Sequence, residues 1–410
     1  MKKRAYDVTL PTTEMRVLKE LEETLQASAE FSSEASNPVQ RDHPVHTIDV
    51  LIENQAVVAL SVRYSALTVL PSSINQFTSL RELDLTGNLL TTLPDSLGSL
   101  PSLQKLYLGG NQLTMLPETL FSLTNLETLH LYGNHLTALS ENLGQFTHIK
   151  ELSLGHNQLT TLPEALWQLT NLQVLNLAEN RLISLPETIG NLSHLHTLDV
   201  GHNALASLPE SLGKLPNLAS FLYLHDNHLT ALPVSLFENL STLRYLNISD
   251  NHLTTLPESI GHLSSLIELR LYNNHLATLP DSFGNLKKLK ELHLMNNHLS
   301  SLPDAIGRLE QLKELRLSNN QLRSLPSSLG HLRCLTLLDL RNNRLATFPP
   351  SFRNLENLTF LDLRANRFVS LPPSIGAMAK LEKLDARWNR ISSSPEWVQS
   401  FEQRGCVIYL

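Results

Sequence analysis

The chain has 410 residues, and its formal charge of −7 excludes a uniformly basic protein that coats nucleic acid. Residues 1–205 carry 11 Lys and Arg against 21 Asp and Glu, whereas residues 206–410 carry 21 against 18, so an anionic partner should prefer the C-terminal half. Aromatic residues make up only 6% of the chain, and a core dominated by leucine indicates one structural unit copied many times.

The cysteines and the apolar segments indicate the cellular compartment of the protein. Cys334 and Cys406 lie far apart and match neither a disulfide framework nor a zinc site. Residues 1–15 lack the apolar core of a secretion signal, and no stretch approaches the roughly 18 apolar residues of a membrane span. We therefore expect a soluble cytoplasmic protein without membrane contacts.

The N-terminal segment, residues 1–45, is polar and predicts one amphipathic helix at about residues 12–27. Four apolar residues share one face of that helix: Met15, Leu18, Leu21 and Leu25. Residues 28–44 are typical of a loose linker. Residues 46–63 predict two strands around a turn near Asn54, which cap the segment that follows.

Residues 57–391 repeat the pattern LPxxLGxLxxLxxLxLxxNxLxx in about fifteen units, the first incomplete with Ser65 in the Asn position. The step is 23 residues, except for two intervals of 24 residues that end at Asn227 and Asn251. The repeated asparagines are Asn88, Asn111, Asn134, Asn157, Asn180, Asn203, Asn227, Asn251, Asn274, Asn297, Asn320, Asn343, Asn366 and Asn389.

A single unit cannot bury its leucines alone, so neighbouring units must stack and share one continuous core. The two leucines of each xLxLx segment, such as Leu269 and Leu271, alternate as a strand with one buried face requires. Each Asn follows its strand, where its amide can satisfy backbone groups of adjacent turns. We therefore interpret the asparagines as a structural ladder.

These motifs resemble the leucine-rich repeat family, in particular its 23-residue intracellular class. The resemblance implies an α/β solenoid, a right-handed horseshoe with a parallel sheet on the concave side and short helical or 3-10 segments on the convex side, capped at both ends. The class includes Ras-pathway scaffolds, Ras suppressors and plant Ras-group repeat proteins. It therefore implies a protein partner, with small GTPases and phosphatase complexes as candidates.

The side chains that flank the buried leucines should form the concave surface. Between about residues 223 and 316 these positions are rich in Tyr and Arg, the types enriched at interaction hot spots. Packing of large polar residues against one another is the alternative. The predicted partner-binding residues are Tyr223, His225, Tyr245, Arg270, Tyr272, His293, Met295 and Arg316.

A histidine follows the ladder Asn at His228, His252, His275 and His298. Because adjacent strands lie about 4.8 Å apart, these imidazoles should stand parallel at the edge of the concave face rather than converge on a metal ion. An exposed structural row is the first interpretation. A contribution to partner binding and metal binding are the alternatives, and we assign no metal site.

The last three units read LDLR, LDLR and LDAR. They place Asp339, Asp362 and Asp385 beside Arg341, Arg364 and Arg387, and an alternating lattice would let each Arg bridge carboxylates of its own strand and the next. The alternative is an anion site made by the three arginines with Trp388 at its edge.

Residues 392–410 predict a C-terminal cap, a short helix with Trp397 and Phe401, a stop at Gly405 and a final strand. Together with the N-terminal helix, this end is similar to the ends of uncharacterised prokaryotic, particularly archaeal, leucine-rich repeat proteins.

No nucleotide-binding, hydrolase, metalloprotease or kinase motif occurs, and no cofactor is implied. The sequence therefore favours a non-enzymatic scaffold that holds a protein partner on its concave face in intracellular signalling. The alternative is a binder of a small anionic ligand or nucleic acid through the C-terminal arginines. Nucleic acid is the weaker of the two, because the arginines alternate with aspartates.

Overall fold

The computed structural model describes residues 10–33 and 48–410. Two α-helices lie at its ends, Thr12–Ser33 (α1) and Glu396–Gln403 (α2). The strands β1 to β17 are Asp49–Glu53, Ala56–Ser61, Glu82–Asp84, Lys105–Tyr107, Thr128–His130, Glu151–Ser153, Val174–Asn176, Thr197–Asp199, Phe221–Tyr223, Tyr245–Asn247, Glu268–Arg270, Glu291–His293, Glu314–Arg316, Leu337–Asp339, Phe360–Asp362, Lys383–Asp385 and Val407–Tyr409.

Short 3-10 helices alternate with the strands from β2 onward. Those in the described residues are Ser72–Gln76, Asp95–Ser99, Glu118–Ser122, Glu141–Gln145, Glu164–Gln168, Glu187–Asn191, Glu210–Lys214, Glu258–His262, Asp281–Asn285, Asp304–Arg308, Ser327–His331, Pro350–Asn354 and Pro373–Ala377. Pro stands immediately before most of them, where its fixed φ and missing N–H are tolerated. This alternation confirms the predicted fold class, a solenoid of parallel strands and 3-10 segments.

The chain divides into two compact units. The first contains the described residues up to Ile183 with Asn191–Leu198. In it, β1 pairs antiparallel with β2 through a turn at Asn54 and Gln55, and β2 to β7 pair in parallel, each with the next. Helix α1 buries Leu18, Leu21 and Leu25 as the sequence predicts, whereas Met15 is only half-buried.

Helix α1 is longer than predicted. It continues to Ser33, so the expected linker at 28–44 begins as helix, and the rest of that linker lies outside the described residues. The Glu14 carboxylate on α1 accepts a 2.9 Å hydrogen bond from the Val57 N–H. Burial raises the pKa of Glu14, while the bond from Val57 opposes that shift. This contact attaches the helix to β2.

The second unit contains Ser184–Gly190 and Asp199–Leu410. Strands β9 to β17 pair in parallel, each with the next. Helix α2 buries Val398 and Phe401, and Trp397 packs against Gly376, where a Cβ would lie 2.9 Å from the indole. Gly405 adopts a φ of +88°, which lets the chain turn from α2 into β17.

The repeated asparagines connect successive turns. Asn274 is an example: its Nδ2 donates to the carbonyls of Ile248, at 3.0 Å, and Leu271, at 3.2 Å, while its Oδ1 accepts from the Leu253 N–H at 3.0 Å. The residue before every ladder Asn has a φ between 49° and 72°. That left-handed backbone favours Gly, Asn and Asp, and these residues occupy most of the positions.

The two 24-residue intervals change the structure in different places. In a regular turn one carbonyl serves two N–H groups, as Ile267 O does for Lys290 N and Glu291 N at 2.8 and 3.2 Å. Before β9 the extra residue supplies a second acceptor: Arg244 N donates to Ala219 O and Tyr245 N to Ser220 O. In the next interval, residues 234–237 form a turn where other repeats have a 3-10 helix.

Candidate functional site

The exposed side chains of β9 to β16 point away from the buried leucines and form a surface that we call the strand face. On it, the Tyr223 and Tyr245 rings lie 5.0 Å apart at 46°. The Arg270 guanidinium stands 5.5 Å from the centre of the Tyr245 ring and donates to Glu268 at 2.6 Å. Burial raises the pKa values of Tyr223 and Tyr245, so both phenols remain neutral.

Phe221 belongs to the same cluster, although the sequence interpretation omitted it. Its ring is 44% exposed, stacks 5.9 Å from Tyr223 at 10°, and lies 5.7 Å from Tyr245. Period-2 alternation places residue 221 on the same face as residue 223, and that signal alone would have found it. We call Phe221, Tyr223, Tyr245 and Arg270 the aromatic cluster.

A cleft of about 280 Å³ opens beside the aromatic cluster, at the turn that carries the extra residue. Its lining is half apolar, and it consists of Ser220, Phe221, Arg244, Tyr245, Ile267 and Glu268. A partly enclosed apolar recess with a few polar groups is the form that a side-chain binding site takes.

The other predicted partner-binding residues lie on the strand face beside the aromatic cluster, and the His225 ring meets that of Tyr223 edge-on at 6.1 Å. His225 packs edge-on against His202, with ring centres 4.7 Å apart, and burial lowers its pKa. Arg316 donates to Glu314 at 3.0 Å. Among the described residues, Tyr272 makes no ring contact, and Met295 is half-buried.

His293 stands between two arginines. Burial lowers its pKa, Glu291 opposes this, and the charges of Arg316 and Arg270 lower it further. Glu268, Glu291 and His293 are the described residues whose potential ligand atoms lie within 4.8 Å of one another. Because Glu268 already binds Arg270 and both arginines repel cations, this group is a poor metal site.

The four histidines that follow the ladder asparagines form a stack. The ring centres of His228, His252, His275 and His298 are 5.9, 5.7 and 5.4 Å apart, with interplanar angles between 10° and 21°. Parallel rings do not aim their nitrogens at one point. The stack borders an open polar groove of about 720 Å³.

A second row of side chains lines that groove. Asn342 donates to Asn319 at 2.9 Å, Asn319 to Asn296 and Asn273 to Asp250 at 2.5 Å each, and Asn296 to Asn273 at the same distance. These amides are therefore already paired along the row.

The aspartates and arginines of the last units form the predicted lattice only in part. Arg364 donates to Asp362 and lies 3.6 Å from Asp385, and Arg387 donates to Asp385 at 2.6 Å. Arg341 does not bridge the carboxylates, since its only bond to Asp339 is through the backbone N–H.

Trp388 stands beside this lattice. Its ring is 69% exposed and lies 5.9 Å from the Arg364 guanidinium and 5.6 Å from that of Arg387. Its φ of 60° is unusual for a bulky side chain. The structure therefore brings together Arg364, Arg387 and Trp388 but not Arg341.

Comparison with known families gives long matches. Residues 57–180, 224–319 and 304–403 match the family described as leucine-rich repeat region, and residues 171–192 match leucine rich repeat. No curated protein matches the chain. Within the described residues, no helix has the length and apolar character needed to cross a membrane.

Solved structures resemble the chain over most of its length. A leucine-rich repeat protein of Leptospira interrogans is 36% identical, with 84% of this chain and 82% of that chain covered and a TM-score of 0.73. The plant peptide hormone receptor RGFR1 in complex with RGF2 is 28% identical, with coverage of 81% and 67% and a TM-score of 0.59.

The Toll–Spatzle complex of Drosophila is also similar, at 28% identity and a TM-score of 0.72. The match covers 80% of this chain but only 46% of that one.

Proposed function

Because the chain belongs to the leucine-rich repeat family, we propose that it is a protein-interaction scaffold whose strand face binds a partner at the aromatic cluster. Proteins of this fold commonly serve as interaction scaffolds and are typically not enzymes. We extend both properties to this chain.

The aromatic cluster is the observation that carries the proposal. Tyr, Trp and Arg dominate binding hot spots, because large rings bury much surface and lose little conformational entropy. Three rings and a guanidinium meet here on an exposed surface, beside a cleft. By contrast, the Tyr107 ring of the first compact unit contacts one other ring among the described residues, that of His130, at 5.0 Å.

Two of the similar structures support a protein or peptide partner. One is a receptor in complex with a peptide hormone, and the other is Toll in complex with Spatzle. Those ligands are bound by those proteins, and we carry over to this chain only the binding of a protein or peptide.

Affinity capture from a cell lysate tests the proposal, with the full chain and a Phe221→Ala, Tyr245→Ala double variant as baits. We expect the double variant to lose captured partners, because truncating central aromatic anchors typically costs about 2 kcal/mol or more each. Tyr107→Ala is the matched control, and it should capture the same partners as the native chain. Equal capture by the double variant would place the interface elsewhere.

The narrower expectations from the sequence remain proposals. They are the 23-residue intracellular class, cytoplasmic signalling, and a small GTPase or phosphatase complex as the partner. Mass spectrometry of the captured proteins tests the identity of the partner directly. If neither a small GTPase nor a phosphatase complex is among the partners lost with the double variant, that expectation is rejected.

Binding of a small anion or nucleic acid through Arg341, Arg364 and Arg387 has less support. Asp362 and Asp385 already neutralise Arg364 and Arg387 at short distance. Of these three arginines, Arg341 is therefore the one without a carboxylate partner among the described residues.

A further inference from the structure

The margin of the strand face beside the cleft carries unpaired positive charge. Arg244, Ile267, Lys290 and Lys313 follow one another on successive turns. The N–H groups of Ile267, Lys290 and Lys313 each donate to the carbonyl of the preceding residue in this series at 2.8 Å. The three basic side chains are exposed, and no described carboxylate pairs with any of them. We call Arg244, Lys290 and Lys313 the basic margin.

Two of the three acidic residues next to the basic margin are already paired with arginines. Glu268 accepts from Arg270 at 2.6 Å and Glu314 from Arg316 at 3.0 Å, and Glu291 lies 3.5 Å from His293. Glu268 and Glu314 are thus paired within the strand face, and the lowered pKa of His293 leaves Glu291 as a single charge beside three cations. The basic margin therefore keeps an excess of positive charge. The local surface therefore attracts negative charge although the whole chain is acidic.

The cleft lies at the start of this margin. Phe221, Tyr245 and Ile267 give it apolar lining, and Arg244 lines it together with Glu268, which is paired with Arg270. Its volume of about 280 Å³ admits a large side chain rather than a folded element. If an apolar side chain of a partner binds in the cleft, the adjoining residues of that partner therefore lie beside Arg244.

We propose that the cleft and the basic margin bind an extended peptide segment with one large apolar side chain followed by acidic residues. This inference rests on the proposed function and specifies the chemistry of its partner. Strands lie about 4.8 Å apart, so Arg244 and Lys290 are separated by about 10 Å. An extended peptide advances about 3.3 Å per residue, so acids at alternate positions fall about 6.6 Å apart and come within reach of these side chains.

Single-stranded nucleic acid also combines negative charge with apolar rings. The structure favours a peptide, because Phe221 and Tyr223 stack on each other rather than present a row of open faces. Ile267, which lines the cleft, is aliphatic.

A random decapeptide display library, selected on the full chain, tests the inference. We expect enriched peptides to carry a large apolar residue followed by two or more acidic residues. The same library is selected on an Arg244→Ser, Lys290→Ser, Lys313→Ser variant and on Arg353→Ser, which removes one exposed charge from a 3-10 helix. Only the triple variant should lose the enrichment, and circular dichroism should show that it melts like the native chain.

Fluorescence anisotropy of a selected peptide then measures the charge dependence. The triple variant, or replacement of the peptide's Glu and Asp by Gln and Asn, should weaken binding about tenfold at low salt. A fifteen-nucleotide thymidine oligonucleotide serves as the competing polyanion and should bind more weakly than the peptide.

Several outcomes would overturn the inference: no enrichment, enrichment without an acidic preference, an unchanged affinity in the triple variant, or tighter binding of the oligonucleotide. The proposed function fails separately, when lysate partners are retained by the Phe221→Ala, Tyr245→Ala variant. If the selected peptides lack acidic residues but still require Tyr245 for binding, this inference is rejected and the proposed function stands.

Discussion

Strands β15 and β16 and strands β11 and β13 each have an acidic residue two positions before an arginine, yet the two pairs of strands differ in the exposure of that acid. Asp362 and Asp385 are each 3% exposed and lie beneath Arg364 and Arg387. Glu268 and Glu314 are 19% and 31% exposed and pair only with the arginine of their own strand. Asp362 and Asp385 have short, buried side chains and connect Arg364 and Arg387 in a lattice. Glu268 and Glu314 have longer, partly exposed side chains, and each neutralises one arginine while the neighbouring lysines remain unpaired.

The lattice should be the more important region for stability. Asp385→Ala removes the partner of Arg387 and one contact of Arg364, and the free energy of unfolding should fall by about 3 kcal/mol. Urea denaturation measures the change. Asp281→Ala, at an exposed aspartate, is the control. A loss below about 1 kcal/mol would contradict a stabilising lattice.

Low pH should weaken the lattice of aspartates and arginines. Burial raises the pKa of Asp385, but its bonds from Arg387 together outweigh burial and hold that pKa below its usual range. A lowered pKa means that Asp385 stabilises the fold above the unfolded value of about 3.9 and loses this contribution as pH falls through the folded value.

The measurement is the free energy of unfolding at pH 6 and pH 3. Between these values, native protein should lose about 1 kcal/mol more than Asp385→Asn. Equal losses in the two proteins would show that Asp385 does not account for the acid sensitivity.

Glu268→Gln should separate binding from stability in β11. The half-exposed pair with Arg270 contributes about 0.5 kcal/mol or less to folding, so the variant should unfold at nearly native urea concentration. Loss of one negative charge beside the basic margin should strengthen binding of the acidic peptide about threefold. Weaker binding in an anisotropy titration would show that Glu268 itself contacts the partner.

Arg341→Ala should have the smallest effect. Its guanidinium takes no part in the lattice, so the free energy of unfolding should change by less than about 0.5 kcal/mol. Urea denaturation beside Arg364→Ala checks this, since Arg364 contacts both Asp362 and Asp385. Equal losses in the two variants would place Arg341 in the lattice.

The repeat pattern predicted the regular part of the fold well. The 23-residue step placed the strands, the buried leucines and the Asn positions, because each depends on local alternation and on stacking of identical turns. The end of α1 was predicted too early, because a polar sequence without a clear stop signal does not distinguish helix from linker.

The candidate site was predicted less completely. Tyr223, Tyr245 and Arg270 follow from the columns of exposed residues, and strand alternation also places Phe221 on that face, but the cleft depends on how one extra residue is accommodated. The sequence also could not decide which charges pair. Asp–Arg and Glu–Arg neighbours look alike in a repeat alignment, whereas exposure and side-chain length separate them in space.

The extra residue before β9 does not shift the strand pairing that follows it, because β9 and β10 pair in register, Phe221 with Tyr245 and Tyr223 with Asn247. A length change in this architecture is therefore a local event. A single inserted codon is enough to place a recess at one turn while the strands that follow keep their register. Proteins built in this way can be expected to diversify their binding sites through small insertions as well as through substitutions, and alignments that close such gaps would hide the positions where new specificity arises.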